Sequence, residues 1–391
     1  MKRLWLIAIL LGLASNVSAV EVTVKTDTKL YDNKGKVIRE VTAGFPFKAD
    51  KANGEWVYGF LRTRGGGVRG WIPIAALDLD DEARSKLGVP ITTRPDGTKV
   101  EPVLLRCRLA PGDLQVYETA LRLNLKMSGR DEVGKTSEMA MGIALRLDSS
   151  VTGKGSEPDG TILAEFRFYD FDMEIDGVRD GARVQIKANP EGAAAYLNGS
   201  LIASGPWDSP KLKDMPNFAQ LLTTTAKARL DERGRILDMG HLGALDDEMG
   251  AFDAKRLFGS DMVFPDEPIG PGDCWEHDVS QPIDIHDPAH PGTSVTLSGK
   301  VKYTVLERTT YAKRPCLKIS ILAAMKSGRA AGQLNVSQTI EGVSYIEEAT
   351  GIQLHTKVTL GQAIGGSIQG TSLTGSTAAT VTLNYKGSKL E

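Results

Sequence analysis

Cysteine is scarce: Cys107, Cys274 and Cys316 are the only three in 391 residues. They allow three alternative single bridges and always leave one thiol over, which excludes a disulfide scaffold. Cys274 and Cys316 each begin a strand-like run, with the run 296–307 between them. In a meander they stand two strand spacings apart, about 9.5 Å, beyond the roughly 7 Å Cα limit for a bridge. Charge of one sign is lacking as well. Lys and Arg number 47 against 49 Asp and Glu, a formal net charge of −2. No basic stripe interleaved with aromatics occurs, so no field draws the chain to nucleic acid or to an anionic surface. Ser-x-x-Lys and Gly-x-Ser-x-Gly do not occur, which removes the common serine-hydrolase patterns. Beyond Leu13 no apolar run approaches the ~20 residues of a transmembrane helix.

The one apolar run lies at the start. Lys2 and Arg3 precede Leu4 to Leu13, followed by Val17-Ser18-Ala19, the order of a secretory signal peptide with small residues at its cleavage site. Residues 1–19 are read as that signal, with the mature chain beginning near Val20. Loss of Lys2 and Arg3 takes the formal charge from −2 to −4. No cysteine follows the cleavage site, so nothing marks a lipid anchor. The expected location is periplasmic or extracellular.

Residues 129–136, GRDEVGKT, match the phosphate-loop pattern Gly-x-x-x-x-Gly-Lys-[Ser/Thr]. That pattern cradles phosphate only where a strand precedes it and a helix follows. Here Leu121, Leu123, Leu125 and Met127 alternate with polar residues before it, and Met139, Met141, Ile143, Leu145 and Leu147 alternate after it. Period two on both sides is strand, turn, strand. The octapeptide is therefore expected at a hairpin tip, with no bound nucleotide. A second decoy, GGGVRG at 65–70, is followed by Trp71-Ile72-Pro73. A dinucleotide-binding helix cannot continue through that proline.

From Glu21 to Leu79 short strands alternate with turn signals at Asp32-Asn33-Lys34-Gly35, Ala43-Gly44, Asn53-Gly54 and the triple glycine, the pattern of a small barrel. The order Gly44, Gly54-Glu55-Trp56, Gly70-Trp71-Ile72 and Ala75-Ala76-Leu77 resembles the bacterial Src-homology-3-like (SH3-like) domain. The Asn-Val-Arg usual near that family's first strand is replaced by Lys29-Leu30-Tyr31. Residues 20–79 are assigned to this barrel and 80–101, acidic and then Pro- and Gly-punctuated, to a short helix and linker.

Residues 102–391 carry about eleven runs of period two, which predict a large antiparallel sheet packed on one side. Only 246–258 reads as a helix. The expected fold class is thus all-β: a small SH3-like barrel, then a large antiparallel sheet or half-barrel with one short helix. Pro-Gly-Asp at 111–113 and again at 271–273, and acidic turns at 231–234 and 347–351, either mark two similar halves, 102–240 and 259–391, or recur as common turn signals. Val263-Phe264-Pro265, Gly272-Asp273-Cys274-Trp275 and the Asp231-x-x-Gly234 turn resemble exported bacterial β-rich proteins, similar in pattern to the half-barrels of periplasmic lipoprotein carriers. That resemblance brings no catalytic residues.

Chemistry is sought in a few places. Asp273-Cys274 invites comparison with cell-wall cysteine peptidases joined to SH3-like barrels, the alternative function. A nucleophilic cysteine needs a helix N-terminus and a base, whereas Trp275 to Val279 continues as strand and no Ser-Gly follows. His286-Asp287-Pro288-Ala289-His290 is the one metal-like cluster, but its prolines oppose the helix that would bring both histidines to one face. No metal and no cofactor is expected. Trp56, Tyr58 and Trp71 either line a recognition groove or fill the barrel core. On the large sheet Leu123 and Ile143, with their apolar neighbours, either line a concavity for an acyl chain or are covered by the second half. The reading is a non-enzymatic exported envelope protein that binds or scaffolds, with a peptidoglycan, lipid or protein partner.

Overall fold

The computed structural model describes residues 20–388 apart from 33, 54, 64–65, 81–82, 85–86, 88, 90–99, 131–133, 135, 214–217, 224, 241–261, 288–289, 328–332 and 369–370. The signal-peptide assignment and the helix expected at 246–258 lie outside the described residues. The fold is all-β. Described helical structure is confined to short turns such as Ile74–Ala76, Pro210–Leu212 and Gln220–Thr223.

Strands β1 (Val20–Val24), β2 (Thr28–Tyr31), β3 (Val37–Val41), β4 (Pro46–Asn53), β5 (Trp56–Thr63), β6 (Gly66–Pro73) and β7 (Leu77–Asp78) form one antiparallel sheet in the order β3-β2-β6-β5-β4-β1-β7. Its core holds Val24, Leu30, Phe47, Val57, Leu61 and Ile72. This corrects one of the two readings of the aromatics. Successive strand residues face opposite ways, so burial of Val57 and Ile72 sends Trp56, Tyr58 and Trp71 to the other face. Trp56 is 38% exposed. Ala83, Leu87 and Val89 join the same core, so this body continues past the linker boundary drawn at residue 80.

The second sheet has fourteen strands: β8 (Leu114–Arg130), β9 (Thr136–Ser156), β10 (Ile162–Arg179), β11 (Ala182–Asn189), β12 (Gly192–Leu197), β13 (Ser200–Gly205), β14 (Thr225–Leu230), β15 (Ile236–Met239), β16 (Cys274–Asp287), β17 (His290–Tyr311), β18 (Arg314–Ser327), β19 (Gln333–Glu347), β20 (Gln353–Ile368) and β21 (Thr371–Gly387). The order is β13-β12-β11-β10-β9-β8-β21-β20-β19-β18-β17-β16, with β14 and β15 branching from the first half of β10. The two halves form one continuous sheet, because β21 pairs with β8 along its length. β8 and β9 close at Arg130 opposite Thr136, so GRDEVGKT is a hairpin tip and no helix follows it.

A sheet of this width curls, and residues 103–109 with 262–264 fill one end of the curl. Residues 103–109, which alternate with period two like a strand, form a strap and pair only through the bridge of Val103 with Ile269. Their amides go to corners instead: Cys107 N–H donates to the Glu232 carbonyl at 2.7 Å and Arg108 N–H to that of Thr350 at 2.9 Å. Leu105 packs with Met262, Phe264, Val305, Leu317 and Ile319. Leu109 packs with Tyr117, Val151 and Phe166.

The repeated turns share one geometry. Asp113 N–H donates to the Ala110 carbonyl and Asp273 N–H to that of Gly270, each at 3.0 Å. Each carboxylate accepts from the same residue's amide at 2.8 Å. Gly112 and Gly272, with φ of 86° and 99°, donate to the Gly153 and Val305 carbonyls, both at 2.9 Å. Gly153 pairs with Ala164 and Ala164 with Ala228, as Val305 pairs with Ile319 and Ile319 with Ser344. Three residues beyond Ala228 and Ser344 lie the turn residues Asp231 and Glu347.

Candidate functional site

Register builds the site row by row on the face that carries Leu123. One row runs Ile175, Ile143, Leu123, Ala379, Leu360 and Ile340 across β10, β9, β8, β21, β20 and β19. The next toward the tips runs Gly177, Met141, Leu125, Thr377, Gln362, Gln338 and Met325, reaching β18. Leu125 is 1% exposed, Leu123 4% and Ile143 6%. Among the described residues their cluster neighbours, including Leu121, Met127, Met139, Ile175 and Leu360, all belong to strands of this one sheet. By contrast, Leu147, Phe171 and Met173 nearby are covered by Trp207, Leu212, Phe218 and Leu222 from the stretch after β13. The second row has a polar centre: Thr377, Gln362 and Gln338 are all buried among apolar neighbours. Both the Nε2 and the Oε1 of Gln362 lack a hydrogen-bond partner among the described residues.

A cavity of about 920 Å³ opens at the tip end, lined by Met127, Met139, Val178 and Ile364 with Lys126, Glu138, Asp180 and Ser376 among its polar residues. Neither Leu123 nor Ile143 lines it; both sit deeper in the apolar band. A smaller cavity of about 110 Å³ lies at the strap end among Cys107, Leu109, Tyr117, Phe166, Phe264 and Gly351. Burial there raises the Tyr117 hydroxyl pKa well above its ordinary value. Burial first, then the Asp231 carboxylate, pushes the Cys107 thiol up to about 11. Neutral groups line this end, and neither is poised to ionise near neutral pH.

On the small sheet, Trp56 meets Tyr31 edge-on at 5.2 Å and Tyr58 meets Trp71 at 5.1 Å. Trp71 pairs with Tyr31 and with Tyr58 in register. The three aromatics singled out in the sequence thus gather, with Tyr31 added, on the face away from the core. Nothing in the sequence ties Tyr31 to Trp71, because only register with β6 brings it there.

Cys274 is exposed and is the first residue of strand β16, so the helix N-terminus that the peptidase reading needs is not at that position. All three cysteines are free thiols. Asp287 and His290 pair at the closed end of the β16–β17 hairpin, and Pro288-Ala289 between them lie outside the described residues. Among the described residues no group of His, Cys, Asp and Glu is arranged to hold a metal, and no helix is long and apolar enough to cross a membrane.

No family model matches the chain, and no curated protein matches it. Among solved structures it is similar to lipovitellin, from a study of lipid–protein interactions, at 9% identity and a TM-score of 0.38, over 73% of this chain and 26% of that one. It is also similar to the translocator domain of the autotransporter NalP from Neisseria meningitidis, at 8% identity and a TM-score of 0.18, over 70% of this chain and 88% of that one. This chain thus spans about a quarter of the lipovitellin chain, 26%.

Proposed function

We propose that the protein is exported to the cell envelope and binds a hydrophobic ligand, such as an acyl chain, on the large sheet. The observation that carries this reading is the apolar band of Leu121, Leu123, Leu125, Met139, Met141 and Ile143, whose packing neighbours among the described residues lie in the same sheet. Apolar side chains favour contact that removes them from water, and methionines adapt to irregular partners. The tip cavity, at about 920 Å³, falls within the roughly 300–1,000 Å³ of small-molecule sites. The small sheet, read as SH3-like on its Gly70-Trp71-Ile72 close, is a second recognition module whose aromatic face would engage an envelope component. The full chain titrated with a fatty acid or a polarity-sensitive dye should bind saturably, and Met139→Asp should weaken that binding while the circular dichroism spectrum is kept. A folded chain that binds neither probe returns the large sheet to the role of a packed scaffold.

A further inference from the structure

We infer that the buried amide of Gln362 selects the head of that ligand: an aliphatic chain ending in a neutral group that both donates and accepts a hydrogen bond, a hydroxyl or a carboxamide. The inference rests on the proposed hydrophobic-ligand reading and deepens it. Gln362 is 5% exposed and lies on β20 between Leu360 and Ile364, on the same face as both. Directly opposite stand Gln338 on β19 and Thr377 on β21, themselves 5% and 4% exposed. An amide at such a place ordinarily pairs both its ends, because an unpaired buried polar group is destabilising. Here both Nε2 and Oε1 are unpaired. Exchanging the two atoms would therefore change nothing.

The chemistry of the missing partner follows from the two ends. Nε2 donates and Oε1 accepts, so a complement must present an acceptor and a donor together. An ester carbonyl only accepts and would leave Oε1 unpaired. A carboxylate likewise only accepts, and it would also bury a charge beside Gln338, Thr377, Leu360 and Ile364, none of which carries the opposite charge. A hydroxyl or a carboxamide meets both ends at no electrostatic cost. Its alkyl chain then runs past Ile364, two residues along β20, into the tip cavity lined by Met127 and Met139.

The test uses the full chain and displacement of a polarity-sensitive dye by 1-dodecanol, dodecanamide and methyl dodecanoate, which share one chain length. The alcohol and amide should bind about tenfold tighter than the ester, the discrimination expected when one buried group is left unpaired. Gln362→Met should erase that preference, keep ester binding and raise the melting temperature of the ligand-free chain. Gln362→Leu serves if the methionine variant does not fold. Equal affinities in the wild type, or a preference that survives in either folded variant, overturns the inference and leaves hydrophobic binding intact. Failure of every probe to bind the folded chain removes the proposed function and this inference with it.

Discussion

Gly351 is where strap, corner and core meet, and its replacement separates two costs that glycines usually mix. Its φ is +69°, and a Cβ there would lie 2.5 Å from the Arg106 carbonyl oxygen and 2.9 Å from the Phe264 ring. Gly112 has a similar φ of +86° but nothing within 4 Å of such a Cβ. Alanine at either site adopts a left-handed conformation at about 1–2 kcal/mol. Only at Gly351 must backbone move as well, since the nearest atom is a carbonyl and not the end of a flexible side chain. Forcing a group into a packed site adds about 1–3 kcal/mol. The strap cannot retreat freely, because the Arg108 amide donates to Thr350 at 2.9 Å and the Arg106 guanidinium holds the Pro265 and Asp266 carbonyls at 2.9 and 2.8 Å. Urea unfolding of Gly351→Ala and Gly112→Ala, followed by far-ultraviolet circular dichroism, should place the first about 1–3 kcal/mol below the second. Equal losses would refute the close docking of the strap on this turn.

Trp71→Ala should leave the small sheet folded at a loss of about 1–2 kcal/mol, less than the ~3–5 of a buried tryptophan; a thermal melt showing that sheet unfolded would restore the core reading. Lys135→Ala, in the octapeptide whose alternating flanks predict a hairpin loop, should change stability by less than about 0.5 kcal/mol, the usual range for a surface change, and ATP should not shift the melting temperature of either protein. At pH 8 a thiol reagent should modify exposed Cys274 quickly and spare Cys107 and Cys316, both pushed by burial from 9.0 to about 11, until urea is added. Because those two thiols favour the neutral form on folding, their contribution is complete below pH 9 and should be lost as pH rises toward 11, which alkaline melts will show. Intact mass of the exported protein should correspond to a chain beginning at Val20, the first residue of β1.

The all-β class and the hairpin at GRDEVGKT were legible because long runs such as 114–127 and 137–148 alternate with period two, a property of the covalent chain. The same alternation names two faces without saying which is inside. In β5 and β6 both faces carry apolar or aromatic residues, so Val57 and Ile72 against Tyr58 and Trp71 could be decided only by register with β4 and β2. Strands β12 and β13 left almost no signal, since Gly192-Ala193-Ala194-Ala195 lacks the β-branched residues that mark strands. The strap fails in the opposite sense: 103–109 alternates like a strand, yet its amides are taken by turns from distant parts of the chain. The polar row was hidden for a similar reason. Gly361, Gly365 and Gly366 dilute the apolar pattern of β20, and Gln362 acquires meaning only when Gln338 and Thr377 are set beside it.

The matched corners bear on how a ligand would reach that row. The same strap ties both: Cys107 to the turn at Asp231, Arg108 to the turn at Glu347. Leu105, Leu109 and Phe264 then fill the space between them, so the strap end of the sheet is occupied by the chain's own apolar side chains. From there the rows climb β8 from Tyr117 through Leu123 and Leu125 to Met127, and the larger cavity opens at Met127 and Met139. A chain-like ligand of the kind proposed, entering among the described residues, would come from the tips, lay its length against Met127, Met139 and Ile364 at the cavity wall, and meet Gln362 two residues below Ile364. Two equivalent corners and a single strap fix one end of the wide sheet, so Gly351 tests that closed end and Gln362 tests the ligand proposed for the other.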